Sequence, residues 1–135
     1  YASYSYLTSH LGTFILNNKK YGSRQSAHSP KNKYSLGIYV YSNNRKTSFN
    51  IENNFVDRFY FDDQNEHISS PYNLINCEIK QNFKKITLSI WSKNITDEIY
   101  GIRGYTFSIS PKWETRDWIS LGNKRTSGIT LSSKF

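Results

Sequence analysis

The chain has 135 residues, enough for one ordinary domain with a modest core. Apolar residues make up 36% and aromatic residues 16%, so nearly half of the apolar content is Tyr, Phe or Trp, a bias that favours strands over helices. The net charge of +8 is spread in short pairs such as Lys19-Lys20, Lys84-Lys85 and Lys124-Arg125, a diffuse field that draws nucleic acid, anionic lipid or acidic ligands without choosing among them.

Helix formers are scarce, with no Met and only Ala2 and Ala27, while Gly, Pro, Asn and Ser supply frequent turns. No amphipathic helix is expected, and the predicted class is all-β. No apolar run approaches the roughly 18 residues of a transmembrane helix, yet a spanning strand needs only about 9 to 11. The absence of Met, with Tyr1 at the start, leads us to expect a piece of a longer polypeptide.

In chain order, the first predicted strand is the aromatic segment YASYSYL, and NNKKYGSRQSAHSPKN (17–32) reads as connection. KYSLGIYVY (33–41) places Tyr34, Leu36, Ile38 and Val40 on one face, with Tyr39 and Tyr41 on the other. SNNRK turns the chain into TSFNIENNFV (47–56), where Phe49 and Ile51 alternate with Asn50 and Glu52, so the pair reads as a tight hairpin.

An acidic connection, DRFYFDDQNEHISSP, leads to YNLINCEIKQ (72–81). There Leu74 starts an apolar row that Ile75, Cys77 and Ile79 continue, opposite Asn76, Glu78 and Lys80. A short turn joins KITLSIWSKN (85–94), in which Ile86, Leu88 and Ile90 alternate with Thr87, Ser89 and Trp91. A long stretch follows, with strand character in YGIRGYTF and WISL, before the final alternating run 127–135.

Six strands thus alternate long and short connections. Transmembrane barrels combine short turns at one end, long loops at the other and strands that are apolar outside and polar inside. A soluble sandwich also alternates, so loop asymmetry and the terminal Phe135 decide the expectation for a membrane.

The ordered run YNLINCEIKQNFKKITLSIWSKNITDEIYGIRGYTF, then LGNKRTSGITLSSKF, resembles the C-terminal part of TonB-dependent outer-membrane receptors. In that family a strand ends in an N-L-T/F-D-x-x-Y element, matched here by Asn94, Ile95, Thr96, Asp97 and Tyr100. After a long loop, a G-x-P-R-x-x-G-like turn enters the last strand. It is matched by Gly122, Asn123, Lys124, Arg125, Thr126, Ser127 and Gly128, with Lys124 where the family often has proline. RQSAHSPKNKYSLGIYVY and FVDRFYFDDQNEHISSPYNLIN also look like the family, so the resemblance spans nearly the whole chain.

The resemblance implies that residues 1–135 are the last six strands of a larger antiparallel barrel of about 22 strands, with plug and earlier strands absent. It implies a role in TonB-dependent uptake of a scarce nutrient such as a ferric siderophore. This segment would supply wall, extracellular loops (16–32, 57–71 and 98–124) and a C-terminal assembly signal in the row Ile129, Leu131 and Phe135. Implied partners are the rest of the barrel and plug, the TonB complex through that plug, outer-membrane lipid and lipopolysaccharide, and the barrel-assembly machinery.

Other chemistry is sparse. Asp62, Asp63, Glu66 and His67 cluster in FDDQNEH, but at the spacing of neither an EF-hand nor a zinc motif, so a solvated acidic loop is expected and no metal or cofactor. No G-x-S-x-G elbow accompanies His10, His28 or His67, and the chain is not expected to be an enzyme. Asn94-Ile95-Thr96 matches a glycosylation acceptor and reads as a strand end; Cys77 reads as a small buried or lipid-facing residue.

Arg103, Tyr105, Trp113, Arg116 and Trp118 give the last loop a basic, aromatic character suited to contact with an anionic or aromatic ligand. No nucleic-acid motif is present, and nucleic acid is not an expected partner. The alternative function is a soluble basic β-domain that binds a polyanion or carbohydrate. The rows Ile86/Leu88/Ile90 and Ile129/Leu131 discriminate, facing lipid in the first case and a packed core in the second.

Overall fold

Alternation at period two makes the six predicted runs into one antiparallel sheet. A computed structural model describes residues 1–64 and 67–133, and all regular structure in them is β. The strands are β1 (Ala2–Tyr6), β2 (Phe14–Leu16), β3 (Lys19–Tyr21), β4 (Asn32–Tyr41), β5 (Thr47–Val56), β6 (Tyr72–Asn82), β7 (Ile86–Lys93), β8 (Gly101–Ile109), β9 (Glu114–Leu121) and β10 (Thr126–Ser133).

The order β1-β4-β5-β6-β7-β10 is an up-and-down meander, while β2-β3 and β8-β9 are separate hairpins inside the long connections. The connection expected over 17–32 is therefore not all loop. It contains β3, which pairs with β2 just before it, and strands of three residues are too short for alternation to reveal. Both tight turns lie at the end opposite the long connections. In the first, Asn44 Oδ1 accepts the Lys46 N–H at 2.9 Å and Arg45 takes a positive φ of 52°. In the second, Phe83 and Ile86 exchange backbone hydrogen bonds at 2.7 and 3.2 Å.

Directly paired residues share a face. Following the register outward from Ile38 gives Ile51, then Cys77, then Ser92, then Ser127. Stepping by two along each strand puts Leu36, Val40, Phe49, Ile75, Ile79, Ile86, Leu88, Ile90, Ile129 and Leu131 on that same face. One apolar surface thus crosses the sheet. Glu52, Asn54, Asn76, Glu78, Lys80, Ser89 and Thr130 occupy the other. Leu74 is a correction to the expected apolar row. It pairs with Asn54 and is offset by one from Ile75, so the pleat turns it to the polar side.

The polar face is internally bonded. Asn54 Nδ2 donates to Glu52 Oε1 at 2.7 Å, Lys80 Nζ to Glu78 Oε2 at 2.9 Å, and Trp91 Nε1 to Thr130 Oγ1 at 3.1 Å. The apolar face, by contrast, has no covering layer among the described residues: Ile129 is 72% and Leu131 69% exposed. Among the described residues the buried large apolar side chains are Phe59 and Phe61, which belong to a connection and not to the sheet.

Candidate functional site: the loop layer and its joint to the sheet

The two sequence elements that carry the family resemblance meet at one point. Where β7 ends, Asn94 adopts a positive φ of 49° and buries its side chain to 4% exposure. Its Oδ1 accepts the Glu98 N–H at 2.9 Å, while Nδ2 donates to the carbonyls of Glu98 at 2.9 Å and Asn123 at 3.0 Å. Asp97, also at positive φ, accepts the Arg125 N–H at 2.7 Å through Oδ1.

Tyr100 completes the joint. Its ring lies 4.4 Å from that of Tyr72 and over Gly122, where an added Cβ would fall 2.0 Å from Tyr100 Cζ. Asparagine tolerates the left-handed backbone, its amide satisfies both partners at once, and glycine admits the ring. The segments 94–100 and 122–125 thereby lock together where the β7–β10 pair passes into the β8–β9 hairpin.

That hairpin carries the predicted ligand residues. The register pairs Arg103 with Ser120, Tyr105 with Trp118 and Phe107 with Arg116, so Arg103, Tyr105, Arg116 and Trp118 share one face. Trp113 stands apart at the tip, 69% exposed, its N–H donating to the Ile109 carbonyl at 3.0 Å. Phe107, absent from the predicted set, stacks with Trp118 at a ring separation of 5.7 Å. The alternation Tyr105-Thr106-Phe107 carried the signal for it. Arg116 is partly engaged by Glu114, 2.9 Å away at the exposed surface.

The opposite face of the hairpin docks on the 57–71 connection. Gly104 makes room for Phe61: a Cβ there would lie 2.6 Å from Phe61 Cγ and 2.8 Å from its Cβ. Phe61 in turn meets Phe59 edge to face at 5.6 Å, and Phe59 meets the His28 ring at 5.5 Å. His67 Nδ1 lies 3.1 Å from Asp117 Oδ1, which also accepts the Thr106 hydroxyl at 2.8 Å. Three long connections are thus packed into one layer.

The acidic loop contributes to this packing. Asp63 Oδ1 accepts the Ala27 N–H at 2.9 Å, Asp62 Oδ1 accepts the Gln64 N–H at 2.8 Å, and the Asp62 carbonyl accepts Arg24 Nη2 at 3.1 Å. Glu66 lies outside the described residues, as does Phe135 of the expected assembly signal. Among the described residues no three His, Cys, Asp or Glu side chains converge as metal ligands. Ile129 and Leu131 lie together on the uncovered apolar face, in register with Ile90 and Leu88. No protein-family model, curated protein or solved structure matches the chain.

Proposed function

We propose that the six-stranded sheet is part of the wall of an antiparallel outer-membrane β-barrel, and that the chain is the C-terminal segment of a TonB-dependent receptor. The observation that carries this reading is the apolar face, which runs uncovered across the sheet while the opposite face is hydrogen-bonded and polar. An exposed apolar surface of this extent needs an apolar medium or a partner. Lipid fits it, because the row Val40, Phe49, Ile79, Ile90 and Ile129 is unbroken across five strands, with Asn53, Asn73, Ser92 and Ser127 towards the loop end of the face. In addition β4, β5 and β6, with 10, 10 and 11 residues, are long enough for a tilted span of about 9 to 11.

The loop asymmetry supports the same reading and orients it, with the packed connections outside the cell and the turns at 42–46 and 83–85 in the periplasm. Stacked Tyr34 and Phe55, 4.9 Å apart at the loop end of the apolar face, and exposed Phe83 at the turn end fit the two aromatic girdles of such barrels. β1 and β10 are paired on one side only among the described residues, and unpaired strand edges are costly in lipid. Further strands of the same polypeptide would flank them in a barrel of about 22 strands.

Within that receptor the segment supplies wall, loops and the row that assembly machinery reads, while a plug elsewhere in the polypeptide engages TonB to import a scarce nutrient such as a ferric siderophore. The soluble basic β-domain would instead need Ile86/Leu88/Ile90 and Ile129/Leu131 packed in a core, and the exposure of Ile86, Ile90, Ile129 and Leu131 favours the membrane reading. Extraction is the test. The full-length polypeptide is expected to stay with outer membranes through high-salt and alkaline washes, to need detergent for release, and to support TonB-dependent growth under nutrient limitation. Recovery in buffer as a compact monomer would refute the membrane reading.

A further inference from the structure

Between the first long connection and the second lies an open cleft of about 970 Å³, large enough for an organic ligand. Its lining carries Arg24, Lys31 and Arg58 against one carboxylate, Asp57. That carboxylate is already engaged, since Oδ1 accepts the Arg58 N–H at 2.8 Å and Oδ2 accepts Asn32 Nδ2 at 2.7 Å. None of the three cations has an ion-pair partner among the described residues.

Arg24 is held in place before any ligand arrives. Its guanidinium lies over the Tyr60 ring at 4.0 Å and donates from Nη2 to the Asp62 carbonyl at 3.1 Å, while Nη1 is enclosed without an acceptor. A guanidinium fixed beside the cleft adds a positive charge that favours an oxyanion there. Ser9 sits on the same lining; its oxygen accepts the Ser26 N–H at 3.2 Å, which leaves its hydrogen to donate. Phe59, Tyr60 and Ile68 supply an apolar side.

We propose that this cleft binds a soluble small molecule bearing two or more oxyanionic groups, carboxylate or phosphate, on a body with an apolar or planar face. Lys31 and Arg58 would neutralise the charge, and Arg24, stacked on Tyr60, would orient it. The site differs from the Tyr105/Trp118 face of the β8–β9 hairpin, and it lies wholly in the loop layer, so it does not depend on the sheet lying in lipid.

The test is calorimetric titration of pyrophosphate and of citrate into the full-length polypeptide in neutral detergent at low ionic strength. Lys31 and Arg58 are exposed, so K31Q/R58Q should fold normally and weaken binding by about tenfold or more. K80Q, on the polar face of the sheet, should leave it unchanged, and the triethyl ester of citrate should not compete. Equal binding by wild type and K31Q/R58Q, or no binding of either probe by wild type, would overturn the proposal. Displacement of the probes by phosphatidylglycerol micelles would also overturn it, in favour of a lipid headgroup. If the protein proves soluble without detergent, the same titration in buffer still decides the question.

Discussion

Leu131→Arg separates the lipid-facing reading from its competitor. Leu131 pairs with Leu88 midway down the apolar rows of β7 and β10 and is 69% uncovered by protein. Burying a leucine fully is worth about 1.5–3 kcal/mol, so lipid around the uncovered part contributes about 1–2 kcal/mol that arginine forfeits. Placing the guanidinium near the bilayer midplane raises the total to about 2–4 kcal/mol. In water the same exposed substitution stays within about 0.5 kcal/mol.

The assay is reversible urea unfolding of the full-length polypeptide in lipid vesicles, followed by Trp fluorescence and heat-modifiable gel mobility. A loss of about 2–4 kcal/mol is about thirty- to a thousandfold in the folding constant, well outside extrapolation error. Ser132→Arg, one residue away on the polar face, serves as the control and should be nearly neutral. Equal losses for the two variants, or a loss below about 0.5 kcal/mol for Leu131→Arg, would refute the assignment of faces.

Asn94→Ala removes three side-chain hydrogen bonds from a buried site at positive φ and should cost about 2–4 kcal/mol, read as a lower melting temperature and faster proteolysis between 94 and 125. Gly104→Ala drives a methyl into the root of the Phe61 side chain, which cannot swing aside as a ring tip would. The hairpin should lose about 1–3 kcal/mol of docking stability, seen as accelerated amide exchange in β8 and β9, with the sheet unchanged. Cys77 lies on the apolar face between Ile51 and Ser92, so a charged, membrane-impermeant maleimide should label it slowly in vesicles and rapidly in urea. Equal rates would count against lipid on that face.

The sheet is legible in the sequence because five of its six strands alternate at period two over eight residues or more, while the shorter β1 is marked by its aromatic content. The one side chain assigned to the wrong row, Leu74, sits beside another apolar residue, where composition alone does not say which of two neighbours faces which way. Phe59 and Phe61 are hidden for a different reason. They stand in a short run between acids, and their partners lie elsewhere in the chain, Gly101 and Gly104 about forty residues on and His28 about thirty back. Such packing leaves no periodic trace. The joint is legible as two motifs, but its chemistry appears only when Asn94 reaches Asn123 and Asp97 reaches Arg125.

The sheet and the loop layer owe their order to different sources. Along β4 to β10 the apolar side chains point outward, so the stability of the sheet rests on its backbone ladder, its bonded polar face and whatever medium covers the apolar one. In the loop layer Phe59 and Phe61 are enclosed by the protein itself, and hydrogen bonds from Arg24, Ala27 and His28 tie the first connection to the second. Loops organised by their own core can hold side chains in fixed positions irrespective of the state of the wall beneath. The joint at Asn94 ties both arms of the β8–β9 hairpin at the level where they leave the sheet, which anchors the hairpin face, whereas the basic cleft rests on the contacts between the first two connections.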